Sequence, residues 1–277
     1  MKLVLFALAC FFSIGHGFSQ RLDVVTFPGS EKSAYATSYI LTSGRESILL
    51  NPPRSATECH RLADTITKLN RHIAAVLISQ ARPDYYLGVS EIRKAFPSVR
   101  VIASHEVAIE IARSGPAEYD SLKLLMDQDM PAPLVLPDST LGDEIVLGNL
   151  NIQVKSFTNG DAETTSVLYE PKQRFLFTGD IVNNKVHFNL NEQMMPGWLQ
   201  ELQDLKKFDV YKIFPGHGLP GNASLIEECF DYIQTFQKAL TTGDPVAIVD
   251  IMNYYLPGYM MPANLKASIL QYVKRGN

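Results

Sequence analysis

The chain has 277 residues, of which 46% are hydrophobic and 19% are charged, and this composition predicts one compact domain with a substantial core. The formal net charge is −4, and no run of Lys and Arg exceeds two residues. Because nucleic-acid binders carry a basic patch or stripe, we expect no nucleic-acid partner.

The N-terminal segment is typical of an export signal. Lys2 precedes an almost unbroken apolar run over residues 3–14, and small residues follow it. The run is too short for a membrane span, so we predict a signal peptide over residues 1–19, cleaved before Gln20. The alternatives are an uncleaved anchor and a lipoprotein modified at Cys10, although the apolar run continues past that cysteine. We expect the mature protein to be secreted, periplasmic or extracellular, with no transmembrane span.

Hydrophobic periodicity in the first half of the chain predicts alternating strands and helices. In chain order these are strands 39–42 and 47–50, a helix 56–70, a strand 73–78, a polar loop 79–87, a helix 88–96, a strand 99–103 and a helix 105–113. The runs 73–78 and 99–103 are apolar throughout, which is typical of strands buried on both faces. Residues 115–137 are rich in proline, and we predict an irregular segment there, as a flap or cover.

The second half of the chain begins with two predicted β-hairpins and ends in helices. The predicted elements are strand pairs 144–147 with 152–157 and 167–169 with 175–177, a helix 198–207, a strand 210–214, and helical residues from 225 onward. This order predicts an α/β fold of two mixed β-sheets flanked by helices.

Four motifs lie beside predicted strands. They are residues 79–88 (Ser-Gln-Ala-Arg-Pro-Asp-Tyr-Tyr-Leu-Gly), Gly160-Asp161, Gly179-Asp180 and Gly216-His217. In order and setting they resemble the metallo-β-lactamase superfamily motifs Thr-His-x-His-x-Asp-His, Gly-His, Gly-Asp and Pro-Gly-His-Gly.

The resemblance spans about residues 22 to 240 and implies the fold of that superfamily. This fold is an αββα sandwich, in which two mixed β-sheets are flanked by helices. We expect it to occupy residues 20–240, with residues 241–277 as a helical C-terminal extension packed on it.

In active members of the superfamily, these motifs hold two zinc ions that activate a water molecule for hydrolysis. By the resemblance, four histidine positions hold other residue types here: Gln80, Arg82, Tyr85 and Asp161. Three positions keep the family's residue type: Asp84, Asp180 and His217. The resemblance therefore implies a metal site whose ligands have largely been replaced.

The substitution at Arg82 opposes metal binding most strongly. A glutamine such as Gln80 offers a neutral oxygen, which is a poor zinc ligand, whereas arginine is always charged and has no lone pair to donate. We expect the Arg82 guanidinium to pair with Asp84, Asp161 or Asp180 and so to replace the charge of the first metal.

An oxygen-rich second site remains an alternative. Its candidate ligands for one divalent cation, zinc or manganese, are Asp84, Asp161, Asp180 and His217. Asp84 is then the candidate catalytic residue. The competing interpretation is that no metal binds and that Asp84 and Asp180 are ordinary cap or turn residues.

Other residues are candidates for contacts near the site. His187 and Tyr86 are candidates for the substrate side, with a surface-loop histidine and a core tyrosine as the alternatives. Glu163 is a candidate partner of Arg82. We expect His217, between two glycines, to be exposed to the pocket.

Three functions agree with these residues. The first is a non-catalytic protein that binds a small molecule or a protein partner in the old cleft. The second is a hydrolase of esters, lactones or related acyl compounds with an altered mononuclear metal site. The third is a structural or interaction protein whose cleft is closed by Arg82 and its partners.

Two features bear on processing after export. Cys59 and Cys229 form either a disulfide or two free buried thiols. Asn222-Ala223-Ser224 is a glycosylation sequon, which matters only in a eukaryotic secretory pathway.

Overall fold

The computed structural model describes residues 21–273, so the predicted signal peptide over residues 1–19 lies outside the described residues. The strands are β1 Asp23–Pro28, β2 Thr37–Ser43, β3 Glu46–Leu50, β4 His72–Leu77, β5 Arg100–Ala103, β6 Ser139–Thr140, β7 Glu144–Leu147, β8 Leu150–Thr158, β9 Thr164–Glu170, β10 Phe175–Asn183 and β11 Lys212–His217. The α-helices are α1 Ala56–Lys68, α2 Pro83–Tyr86, α3 Val89–Ala95, α4 His105–Met126, α5 Met195–Leu205, α6 Ser224–Leu240, α7 Pro245–Tyr255 and α8 Pro262–Val273.

The strands form two mixed β-sheets. The first sheet has the order β1-β2-β3-β4-β5-β6, with antiparallel pairs at β1–β2 and β2–β3 and parallel pairs from β3 to β6. The second sheet has the order β11-β10-β9-β8-β7, in which only the β10–β11 pair is parallel. The predicted fold class, two mixed sheets flanked by helices, is confirmed.

Three apolar layers hold the sandwich together. The central layer lies between the sheets, where Tyr39 packs edge-on against Phe177 and Phe214, and the latter two rings stack at 4.4 Å. Helices α1, α3 and α4 cover the first sheet through residues such as Leu62, and helices α5 to α8 cover the second through residues such as Phe236. Burial of these apolar faces is the main favourable contribution to folding.

Helices α7 and α8 belong to the outer layer on the second sheet. Ile248 and Met252 of α7, and Leu265 and Ile269 of α8, are buried in the same cluster as α5 and α6. The helical character of the C-terminal region is thus as predicted, and the division of the chain at residue 240 stays a prediction. Within residues 21–273, no helix combines the length and the apolar character needed to cross a membrane.

The prediction of an irregular segment from residue 115 is wrong for residues 115–126. Helix α4 continues to Met126 and passes through Gly115-Pro116. A proline ring normally clashes with the Cβ of the preceding residue in a helix, but Gly115 has no Cβ. Gly115 is also packed closely, because an added Cβ would lie 3.0 Å from Leu134 Cδ2.

The structure also corrects the segment that follows β4. Residues 79–87 are not simply a polar loop, since α2 begins at Pro83, a residue that is favoured at the first position of a helix. Tyr85, Tyr86 and Leu87 are 0% exposed. Two strands, β1 and β6, are absent from the sequence-based prediction.

Cys59 and Cys229 are free and buried in different layers. Cys59 lies between the first sheet and its helices, and Cys229 lies between the second sheet and its helices. The disulfide alternative is therefore wrong, and the alternative of two buried thiols is correct. The side chain of Asn222 is exposed, and whether it is glycosylated stays a prediction.

Candidate functional site

Most of the predicted site residues meet at one end of the two sheets. Gln80 follows β4, Asp161 precedes β9, Asp180 lies within β10, and His217 ends β11. Single β-bridges join Gln80 to Thr165 and Ala36 to His217 at this end. The sheets are thereby tied together beside the site.

Two glycines make room for the site. Gly179 has a φ of +54°, and a Cβ on it would lie 2.4 Å from Gln80 Oε1. A Cβ on Gly216 would lie 2.3 Å from Asp180 Oδ1 and equally close to the Tyr85 hydroxyl. Any larger residue at either position would push the polar side chains apart.

Asp180 is the centre of a buried polar cluster. Gln80 Nε2 donates to Asp180 Oδ2 at 3.3 Å, and the backbone N–H of Asp180 donates to Gln80 Oε1 at 3.0 Å. The Tyr85 hydroxyl donates to Asp180 Oδ1, and His217 Nε2 lies 3.2 Å from the same oxygen. Three residues that the sequence places at metal-ligand positions thus bind the carboxylate of a fourth.

Asp161 is joined to this cluster from the opposite side. Its Oδ2 accepts from Gln80 Nε2 at 3.0 Å, and its Oδ1 accepts from Thr165 Oγ1 at 2.9 Å. Arg82 Nη2 donates to the backbone carbonyl of Asp161. The side chain of Gln80 therefore bridges the two acidic residues.

Arg82 adopts only part of its predicted pairing. Its Nε lies 3.9 Å from Asp180 Oδ2, but its hydrogen bond goes to a carbonyl oxygen, and none goes to Asp84. Asp84 instead accepts from Arg54 Nη1 at 2.9 Å. Glu163 does not reach Arg82 as predicted, because it pairs with Arg113 at 2.7 Å on the surface.

Electrostatics make Asp180 and His217 an ion pair. Burial opposes charge on both groups, but the His217 charge lowers the pKa of Asp180 below its ordinary value, and Asp180 raises the pKa of His217. His217 Nδ1 lies 2.7 Å from the Ala34 carbonyl oxygen, so both ring nitrogens face acceptors. This arrangement is satisfied when the imidazole carries both protons.

His217 is also more buried than predicted. It is 7% exposed and lines the cavity, but its ring packs beside Tyr85 at a centroid distance of 6.0 Å. Burial and the neighbouring Asp180 raise the pKa of Tyr85 well above its ordinary value. Tyr85 therefore remains a neutral hydroxyl donor.

Glu201 of α5 belongs to the site and is absent from the sequence-based prediction. Its Oε2 accepts the backbone N–H of Asp161 at 2.9 Å, and the residue is 4% exposed. Burial and the Asp161 charge raise the pKa of Glu201 to about 8, and burial and the Asp180 charge raise the pKa of Asp161 to about 6. The available sequence signal is a carboxylate on the apolar face of α5, beside Trp198 and Leu202.

A cavity of about 250 Å³ opens onto this cluster. Its charged lining residues are Arg54, Arg82, Asp84, Asp180 and His217. Its other wall includes Leu122, His187, Phe188, Trp198, Met261 and Asn264. Sequence patterns did not indicate three further lining residues: Leu122 of α4, Met261 just before α8, and Asn264 in the first turn of α8.

The two predicted substrate-side residues have different positions. His187 lines the cavity and is 2% exposed, so the surface-loop alternative is wrong. Burial lowers its pKa to about 4. Tyr86 is packed in the layer between the first sheet and its helices, donates to Glu118 and does not line this cavity.

Comparison with solved structures decides the fold. A metallo-beta-lactamase family protein from Thermus thermophilus is similar over 92% of each chain, at 18% identity and a TM-score of 0.65. The chain has the metallo-β-lactamase fold. A metallo-beta-lactamase from Pontibacter korlensis matches 77% of this chain and 99% of that chain, at 18% identity and a TM-score of 0.60. One from Hirschia baltica matches 77% and 97%, at 15% identity and a TM-score of 0.55.

These likenesses show the fold alone. No protein-family model matches the chain. No curated protein sequence matches it either.

The residues present do not fit the two zinc ions associated with the metallo-β-lactamase fold. The Arg82 guanidinium and the Tyr85 phenol O–H occupy ligand positions. The amide oxygen of Gln80 already accepts the backbone N–H of Asp180. Zinc needs lone pairs from imidazole, thiolate or carboxylate groups. Within residues 21–273, no group of three or more His, Cys, Asp or Glu side chains is arranged to hold a metal ion.

Proposed function

We propose that this protein is a metal-independent binding protein that holds a small molecule in a remodelled metallo-β-lactamase cleft and lacks dinuclear zinc hydrolysis. The observation that supports the proposal is the hydrogen bonding of Asp180. Gln80, Tyr85 and His217 all bind its carboxylate, and the Arg82 guanidinium lies beside it. The protein's own side chains thus use the Asp180 carboxylate oxygens that would otherwise be free to bind metal ions.

The cavity favours binding over a purely structural role. If Arg82 and its partners closed the cleft, no space would remain above them. A volume of about 250 Å³ remains, with charged groups at its floor and aromatic rings such as Trp198 in its wall. Pockets with an apolar lining and a few placed polar groups are typical small-molecule sites.

Metal analysis of the mature protein tests the proposal. The protein is stripped with a chelator, incubated with zinc or manganese, desalted and analysed for metal per chain. We expect no retained metal and an unchanged melting temperature after either treatment. About one tightly held metal per chain would contradict the proposal and support the mononuclear hydrolase.

A pair of variants isolates the contribution of the Arg82 cation. The first variant combines Gln80→His, Arg82→Gln, Tyr85→His and Asp161→His, and the second keeps Arg82, so neither has an imidazole at position 82 and the two differ in the charge there. We expect zinc binding in the first variant alone, because a fixed cation repels the metal in the second. Equal zinc binding by both variants would show that Arg82 does not exclude metal.

We also propose that the chain is exported. The support is the sequence of residues 1–19, with its short apolar run and the small residues that end it. Expression of the full chain in a secreting host, followed by N-terminal sequencing, should yield a product that begins at Gln20. A retained N-terminus in the cytosolic fraction would contradict export.

A further inference from the structure

The carboxylates that line the cavity are already matched by donors. Asp84 accepts from Arg54 at 2.9 Å, and Asp180 accepts from Gln80, Tyr85 and His217. Neither acid therefore needs a cation or a donor from a ligand.

Arg82 is the lining cation without a carboxylate of its own, because the nearest one, Asp180, already pairs with His217. Its Nη2 donates to a carbonyl oxygen, and its Nε has no hydrogen-bond acceptor among residues 21–273. The nearest carboxylate oxygen, Asp180 Oδ2, lies 3.9 Å from that Nε, beyond hydrogen-bond range. This Nε is itself buried, but the side chain of Arg82 is 31% exposed and lines the cavity.

His187 supplies a second donor in the cavity wall. The Tyr232 hydroxyl accepts the backbone N–H of Phe188 at 3.3 Å and lies 2.9 Å from His187 Nδ1. The Tyr232 hydroxyl donates its hydrogen to His187 Nδ1, so the proton of the neutral imidazole is on Nε2. In the described part of the chain this Nε2–H forms no hydrogen bond, and the ring lines the cavity.

Another part of the wall is apolar, and the space is small. Leu122, Phe188, Trp198 and Met261 contribute apolar side chains. The volume of about 250 Å³ lies below the range of about 300–1,000 Å³ for drug-sized ligands. The cavity thus matches a compact molecule with an apolar body and one polar end.

We infer that the cavity binds a small monocarboxylate with an apolar body, whose oxygens accept from Arg82 and from His187 Nε2–H. The inference rests on the proposed function, because it assigns a ligand class to the same metal-free cleft. A single negative charge complements the lining, where the cations Arg54, Arg82 and protonated His217 outnumber the carboxylates Asp84 and Asp180 by one. Charge-assisted hydrogen bonds to a guanidinium are among the strongest available in proteins, which favours a carboxylate over a neutral carbonyl group.

Titration calorimetry with benzoate and benzamide tests the inference on the mature, chelator-treated protein. Both probes carry the same ring, and only benzoate is charged. We expect benzoate to saturate one site per chain and benzamide to bind at least about tenfold more weakly. Absence of saturable benzoate binding, or equal binding of both probes, would overturn the inference.

Two variants place the benzoate site. Arg82→Gln removes the unmatched cation and should weaken benzoate binding at least about tenfold. Met261→Trp, at the residue before α8, puts a larger side chain into the cavity wall and should abolish binding. Arg113→Gln, which removes an exposed surface cation, is the matched control and should leave binding unchanged.

The variants keep the test decisive. If Arg82→Gln fails to fold, Met261→Trp decides, since retained benzoate binding there places the probe elsewhere. Failure of the inference and failure of the proposed function also differ. Metal-free protein that binds no benzoate contradicts the inference alone, whereas benzoate binding that appears only with retained zinc contradicts the proposed function.

Discussion

The two halves of the site differ in how far they depart from the superfamily pattern. The segment after β4 carries Gln80, Arg82 and Tyr85 where histidines are expected, whereas β10 keeps Asp180 and the end of β11 keeps His217. In the structure the two halves form one hydrogen-bonded unit. A residue that keeps the family type, such as Asp180, can therefore accept hydrogen bonds from the substituted residues instead of binding a metal.

The contrast also extends to Asp84. It keeps the family type and lines the cavity, yet it pairs with Arg54 and takes no part in the hydrogen bonds around Asp180. The two retained acids thus differ in their surroundings, one buried among several donors and one partly exposed with a single partner.

The largest expected effect comes from removing the centre of the cluster. Asp180→Ala leaves Gln80, Tyr85 and His217 without their shared acceptor, and we expect the free energy of unfolding to fall by about 3–5 kcal/mol. Urea denaturation measures this loss. Asp84→Ala is the matched control and should cost about 1 kcal/mol, because its ion pair with Arg54 is partly solvated. Equal losses of unfolding free energy in the two variants would contradict the difference between Asp180 and Asp84.

The cavity wall should respond to pH through His187. Its folded pKa of about 4 lies below the ordinary value of 6.5, so the unfolded chain binds this proton more readily between those values. Keeping His187 neutral and buried should therefore contribute up to about 3 kcal/mol to the free energy of unfolding. This contribution should be complete above pH 6.5 and should be lost as the pH falls toward 4. Denaturation midpoints of the wild type and His187→Gln across this range measure it.

His105→Gln, at an exposed position, is the control for the pH series. Its profile should follow that of the wild type, whereas the His187→Gln profile should be flatter. A wild-type slope that persists in His187→Gln would show that the buried histidine is not its source.

A smaller loss is expected when the cation of the replaced half is removed. Arg82→Gln deletes a charged donor to the Asp161 carbonyl and a charge beside Asp180, and we expect a loss of about 2 kcal/mol in unfolding free energy. Chemical denaturation measures this loss, and Arg113→Gln, which breaks the exposed ion pair with Glu163, is the control. A gain in stability for Arg82→Gln would show that burying the guanidinium costs more than its partners return.

The smallest effect should come from Glu163, which the sequence suggested as a partner of Arg82. Because Glu163 and Arg113 are each 60% exposed, Glu163→Gln should change the unfolding free energy by less than about 1 kcal/mol. A loss as large as that of Arg82→Gln would mean that Glu163 acts on the cluster after all.

The class of the fold and the position of its main strands could be predicted from local sequence patterns. Apolar runs such as 73–78 and hairpin turns such as Gly148-Asn149 depend on local periodicity and turn chemistry, so they can be read without tertiary contacts. The sequence also identified Arg82 as a cation at a ligand position. The residue types Gly and Pro misled the prediction at Gly115-Pro116, where helix α4 continues because Gly115 has no Cβ to clash with the proline ring.

Which side chains meet in the site could not be predicted in this way, because it depends on long-range contacts. Arg54 binds Asp84 across 30 positions, Glu201 reaches the backbone of Asp161 across 40, and Asn264 donates to the His187 carbonyl oxygen across 77. Such pairings depend on how two sheets and their helices stack, and residue spacing along the chain carries no record of it. For the same reason, the sequence could propose that Arg82 replaces a metal charge, but the structure had to show that its hydrogen bond goes to a carbonyl oxygen.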